Sequence, residues 1–293
     1  MKLKILIILC AFLLLLSGCN TKYQRISFNA QYVAEELAAH ISEDTTVINK
    51  TDTTFAARLP IYKITEDNIT EAQFQKLKQQ LQVPENSSVM IPLRYEGNCI
   101  EGRFDYYGDD AFTMSEEELE ALAWKVFEKI PFMEGEYEYS GIRGESYTEN
   151  LQGDKTINEV MVSFYRLLDG VRVIGNDQCN MWFDDSGLVE IYIERFNYTR
   201  IGTMDLVPLE DAEARINAPD YFAIDATAGK ANTLQVDRVR LSLVNQYSQG
   251  CTILQPIYSF VGTATFDDNS QAEFISRIIA IPESYTYEKE TTE

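Results

Sequence analysis

Hydrophobic and polar positions alternate along this chain with two periods, and a continuous apolar run precedes both. Leu3 to Leu16 is almost wholly apolar and follows Lys2. Apolar residues at 30, 33, 34, 37, 38 and 41 keep to one face of a helix over Ala30–Ile41. Phe55 to Ile64, with Pro60, reads as an extended strand, and a second helix is expected over 70–82 with Phe74, Leu77 and Leu81 inward. A strand over 88–95 and a turn-rich passage to Gly108 close this region as a small α+β domain.

Ser115-Glu116-Glu117-Glu118 then has the form of a capping box, in which the serine accepts an N–H and the third residue on reaches back. The helix it opens runs to about Ile130, with Leu119, Leu122, Ala123, Val126, Phe127 and Ile130 as its stripe, and Pro131 stops it. Period-two runs predict strands at 136–147, 158–167, 171–175, 178–184 and 188–198. A short helix over 208–216 begins at Pro208, followed by strands at 234–247, 252–266 and 271–281. Phe183-Asp184-Asp185-Ser186-Gly187-Leu188-Val189-Glu190-Ile191 returns as Phe266-Asp267-Asp268-Asn269-Ser270-Gln271-Ala272-Glu273-Phe274, at matching places in two helix-then-strands segments. The pattern therefore predicts an α+β fold with helices packed on antiparallel sheets: an N-terminal α+β domain, then two α-β-β-β units.

The opening run holds about 14 residues, short of the roughly 20 that span a bilayer as a helix. Basic residues, an apolar stretch and the small residues Ser17 and Gly18 are the layout of a secretory signal. The end of that signal, Leu16-Ser17-Gly18-Cys19, resembles the lipobox of bacterial lipoproteins. The resemblance implies cleavage between Gly18 and Cys19, acylation of Cys19 (palmitate among the chains), and attachment at the extracytoplasmic face of a cell membrane. Segments then follow as signal 1–18, tether 19–28, domain 29–110, units 111–200 and 201–286, and a disordered tail 287–293.

Loss of Lys2 and Lys4 with the signal moves the formal charge from −21 to −23. A pI near 4.4 argues against nucleic acid, whose phosphates need Lys and Arg. It also argues against adhesion to anionic headgroups. Beyond Cys10 and Cys19 the thiols are Cys99, Cys179 and Cys251, which allow at most one intramolecular disulfide and match no metal or redox spacing.

Catalytic equipment is not legible. His40 is the single histidine, so any Ser-His-Asp or Cys-His device must use it, yet it lies among Ala38, Ala39 and Ile41. No H-E-x-x-H, G-x-S-x-G or P-loop occurs. Asp105/Asp109/Asp110 and Asp184/Asp185 offer oxygen ligands for Ca²⁺ but lack EF-hand spacing, and read better as turn formers. No enzyme activity, cofactor or metal is expected. Strand aromatics (Phe164, Tyr165, Trp182, Phe183, Tyr192, Phe196, Tyr198, Tyr258, Phe260) would bury Phe and Trp on one sheet face and display Tyr and charges on the other.

A second resemblance bears on how such a chain works. Asp169-Gly170-Val171-Arg172-Val173-Ile174-Gly175-Asn176-Asp177, then Phe183-Asp184-Asp185-Ser186-Gly187-Leu188-Val189, resembles PepSY-type and thermolysin-propeptide modules. Leu254-Gln255-Pro256-Ile257-Tyr258-Ser259-Phe260 is similar to a late strand of those modules, and paired modules behind a membrane attachment resemble the YycH/YycI extracytoplasmic regulators. The resemblance covers about 111–284 and implies a helix on a curved antiparallel sheet, acting by contact: modulating a sensor kinase or protease, or holding a peptide. The expected partner is a membrane or secreted protein or peptide. A solute-binding or envelope-scaffold lipoprotein is the alternative, with an acid-dependent hydrolase behind it.

Overall fold

The computed structural model describes residues 23–25, 29–42, 44–82, 91–104, 110–150, 152–175, 177–225, 229–245, 253–286 and 288–289. In chain order the elements are β1 (Tyr23–Gln24), α1 (Ala30–His40), β2 (Thr46–Asn49), β3 (Arg58–Glu66), α2 (Glu71–Leu81), β4 (Ile91–Glu96) and β5 (Cys99–Arg103). Next come α3 (Glu116–Phe127), β6 (Glu136–Glu149), β7 (Lys155–Leu168), β8 (Val171–Gly175), β9 (Gln178–Asp184), β10 (Gly187–Glu194) and β11 (Phe196–Asp205). The last are α4 (Leu209–Glu213), β12 (Tyr221–Ile224), β13 (Ala231–Asn245), β14 (Gln255–Phe266), β15 (Gln271–Ile279), β16 (Ser284–Tyr285) and β17 (Glu288–Lys289).

This corrects the α+β expectation. Among the described residues the fold is mostly β, 54% strand against 16% helix, with a large mixed 12-stranded sheet and four short helices. Two physical causes stand out. The helix expected over 208–216 lasts only through Leu209–Glu213 before tight turns, so the second α-β-β-β unit has no full helix to lay on its sheet. The sheets are also not purely antiparallel, since β13 runs parallel to both β2 and β8.

Two compact units are assembled from interleaved segments: unit 1 from 1–62, 200–240 and 255–293, unit 2 from 63–199 and 241–254. In unit 1 the strand order is β12-β15-β14-β13, with β2 on β13. Phe222, Leu234, Phe260, Phe274 and Ile278 are fully buried there. The β14–β13 crossing is close: a Cβ on Gly262 would stand 1.9 Å from the Gln235 carbonyl oxygen. Gly262→Ala should therefore cost about 2 kcal/mol through backbone overpacking, read as a fall in urea midpoint; an unchanged midpoint would show that the strands do not approach this closely.

Unit 2 contains the sheet order β7-β9-β10-β5-β4, with β6 along β7. Its core is built as the spacing predicts. Ser115 accepts the Glu118 N–H at 3.3 Å and Glu118 accepts the Ser115 N–H at 3.0 Å, which starts α3. Leu119, Ala123, Val126 and Phe127 then meet Val160, Val162, Phe164, Met181 and Phe183. Phe127 stacks on Phe164 at 4.3 Å and Trp124 meets it edge-on at 4.7 Å.

The repeated phrase marks a hairpin turn in each unit, joining β9 to β10 and β14 to β15. Asp184 accepts the Ser186 and Gly187 N–H groups at 2.8 and 3.0 Å, and Asp268 accepts the Ser270 N–H at 2.9 Å. These side chains replace backbone partners inside the turn.

Candidate functional site

Three places were marked by the sequence, and they fare differently. Gly18 and Cys19, the cleavage and lipidation residues, lie outside the described residues, as do Cys251, Asp105 and Asp109. Among the described residues no helix is long and apolar enough to cross a membrane. Asp184 holds its turn, while Asp185 accepts the Thr113 and Met114 N–H groups at 2.9 and 3.3 Å. Among the described residues no group of three or more His, Cys, Asp or Glu is placed to hold a metal ion. His40 is buried, its Nδ1 3.2 Å from the Gly229 carbonyl and its ring edge-on to Phe266. Cys99 and Cys179 are free thiols, and burial pushes both upward in pKa.

The sheet face of unit 2 opposite α3 carries the Tyr and charges expected of it, and also Trp182, which was expected on the buried face. Met161 pairs with Trp182, and Trp182 with Glu190, across β7, β9 and β10; Tyr192 and Glu194 follow on the same face of β10. All five side chains are half-buried. Gly144 lies over this pair, and a Cβ there would touch Met161 at 3.4 Å and Trp182 at 3.5 Å. Farther along the β6–β7 hairpin Tyr147 pairs with Ile157, and both are exposed, at 50% and 38%. Lys155 Nζ sits 4.2 Å from the Tyr147 ring centroid.

The backbone edge of β6 is less open than its length implies. β6 pairs only with β7 among the described residues, but three register shifts interrupt it, at Tyr139/Ile142, Ile142/Gly144 and Ser146/Tyr147. Bulges of this kind twist an edge away from further strands. Side chains, not a long backbone ladder, are therefore what this hairpin offers.

Sequence reasoning missed a buried polar row at one end of the α3 core. Tyr165 pairs with Gln178 and Ile193 with Cys179, so the next positions bring Arg166, Asp177 and Arg195 together on neighbouring strands. Arg166 lies 5.2 Å over the Tyr137 ring, Arg195 lies 4.9 Å over Phe132 and also pairs with Asp67. Gly135 makes room for Arg166, whose guanidinium would meet a Cβ there at 2.1 Å. Asp177 is only 2% exposed. Burial raises its carboxyl to about 6, against the pull of Tyr198, Arg166 and Arg195. Burial likewise lifts Glu194 to about 7, and Tyr137 and Tyr198 upward.

Tyr198 faces Asp177 closely enough to lower its pKa, yet short of hydrogen-bond geometry. Its hydroxyl, Asp177 Oδ2, Arg195 Nη1 and Arg166 Nε are all buried without a hydrogen-bond partner among the described residues. Three donors and one acceptor at one place are what ordered water satisfies. Asp177 had appeared in the sequence only as the last letter of a motif phrase. An aspartate opening a strand, two residues after a glycine, gives no sign of burial by itself.

No protein-family model matches the chain, and no curated protein matches it.

Proposed function

We propose that this protein is a membrane-anchored extracytoplasmic lipoprotein that acts by contact, regulating a membrane or secreted protein through the sheet face and hairpin of unit 2. The exposed Tyr147–Ile157 pair carries the reading. It is a cross-strand aromatic–aliphatic pair left in water, and aromatic side chains are frequent anchors at interfaces. The net charge of −21 favours a partner segment that is basic as well as apolar. The lipobox resemblance at Leu16-Ser17-Gly18-Cys19 supports an encounter at the membrane surface.

A photo-crosslinking residue at Tyr147, used in membranes of the native organism, tests this. The expected product is a covalent adduct with one basic protein or peptide segment, cut at least about tenfold by Ile157→Ser with no change in unfolding midpoint. Label spread over many proteins in proportion to abundance would overturn the reading. Cys19→Ala should leave the fold intact and abolish the adduct by releasing the protein from the surface; an equally strong adduct from the soluble variant would contradict the membrane part.

A further inference from the structure

The strand β1 begins at Tyr23, four residues after Cys19. Tyr23 and Gln24 pair antiparallel with Tyr285 and Ser284 of β16. Directly after them the Arg25 N–H donates to the Glu283 carbonyl at 3.0 Å. The Arg25 guanidinium then stands 3.6 Å from the Asp220 carboxylate and 3.8 Å from that of Glu283. Asp220 is fixed in turn: it accepts the Ile279 N–H at 2.8 Å, its own N–H donates to the Arg277 carbonyl at 3.0 Å, and Arg215 lies 3.2 Å away. Residues 23–25 are thus tied into unit 1 by backbone pairing and by an ion cluster rooted in β15.

This leaves very little tether. Four residues of fully extended chain reach about 14 Å. A lipid on Cys19 sits at the headgroup level, so the start of β1 cannot stand farther from it than that.

We infer that the β1–β16 ribbon is the membrane-facing edge of unit 1, and that its neighbour is the headgroup layer of the bilayer. The inference rests on the lipoprotein reading of Cys19. The short tether alone is enough to set this closeness. Arg25 and Arg215 already share the Asp220 carboxylate, while Glu283 is 89% exposed, so neither arginine is spare for anionic lipid. A partner that reaches unit 1 beside this edge must then belong to the membrane, or lie flat against it.

Neutron reflectometry of the purified full-length protein on a supported bilayer reads the distance directly. Mass spectrometry of the same sample first establishes whether Cys19 carries acyl chains. With them present, protein density is expected to begin within about 15 Å of the headgroups. Inserting 20 Gly/Ser residues between Asn20 and Thr21 should move it outward by up to about 25 Å. Arg25→Glu sets three acidic groups together and should loosen β1, shifting the density outward by several ångströms. An acylated protein whose density starts far from the bilayer, or fails to move with the spacer, overturns the orientation and leaves the lipoprotein reading standing. Arg25→Glu with no outward shift overturns the ribbon as the tie. Absence of acyl mass on Cys19 overturns both.

Discussion

Replacing Arg103 with methionine lowers the unfolding free energy by about 3–5 kcal/mol, the largest effect expected of any single change here. Arg103 and Glu159 are 3% and 0% exposed, and they pair with each other inside the unit 2 sheet. Arg103 also reaches Glu190 at 2.8 Å, its direct neighbour in the β5–β10 register. Burial already pushes the Glu159 carboxyl upward despite the guanidinium beside it. Without Arg103 that carboxylate is left buried and uncompensated, and much of the loss is this penalty. The variant should regain stability as pH falls, because native Glu159 then takes up a proton more readily than the unfolded chain does. Adding Glu159→Leu removes the stranded charge and should restore most of the loss. Urea unfolding of the three variants decides it; a loss below about 1 kcal/mol for Arg103→Met would mean that the pair is solvated.

Asp177→Asn works in the opposite direction. The Asp177 carboxyl titrates at about 6 in the folded chain, against 3.8 as its ordinary value. Between those values the native state holds a proton that the unfolded state has released. Stability therefore rises as pH falls from above 6 toward 4, and the charged form at pH 7 costs about 3 kcal/mol. Asparagine never ionises, so Asp177→Asn should gain up to that amount at pH 7 and little at pH 4. Thermal unfolding measured across this range gives the difference directly. A variant–wild-type gap that stays constant with pH would place the titration elsewhere, Glu194 being the next candidate.

The legible part of the fold was the local part. The capping box at Ser115, the apolar stripe of α3 and the strands Val171–Gly175 and Gln178–Asp184 follow directly from spacing and turn chemistry. What was not legible depends on which strands meet. The run expected as one strand over 188–198 breaks at Arg195, whose N–H goes to the Asn98 carbonyl at 3.0 Å while its side chain pairs with Asp67. Nothing near Arg195 in sequence announces partners so distant. The parallel pairings of β13 are hidden for the same reason, since period two reveals a face but not a neighbour. The overcount of helix has a plainer source: Pro208 through Ile216 has the composition of a helix start, and tight turns end it after Glu213.

The site divides in the same way. Tyr and charged residues on the second sheet face were readable from alternation, although Tyr165 and Tyr258 turn out buried and Trp182 lies on the displayed face rather than the buried one. The row of Arg166, Asp177 and Arg195 was not, because its members are separate in sequence and join only through strand register.

The pairing of residue 23 with residue 285 also sets an order of events. A chain made and exported N-terminus first presents β1 long before β16 exists. Unit 2 takes most of its residues from 63–199, whereas unit 1 waits for 255–293. Pairings so distant in sequence close slowly. On the lipoprotein reading, the anchor is set while unit 1 is still open, and that unit completes itself against the bilayer. Stop codons between Gln255 and Ser284 should then spare unit 2 and leave unit 1 unfinished.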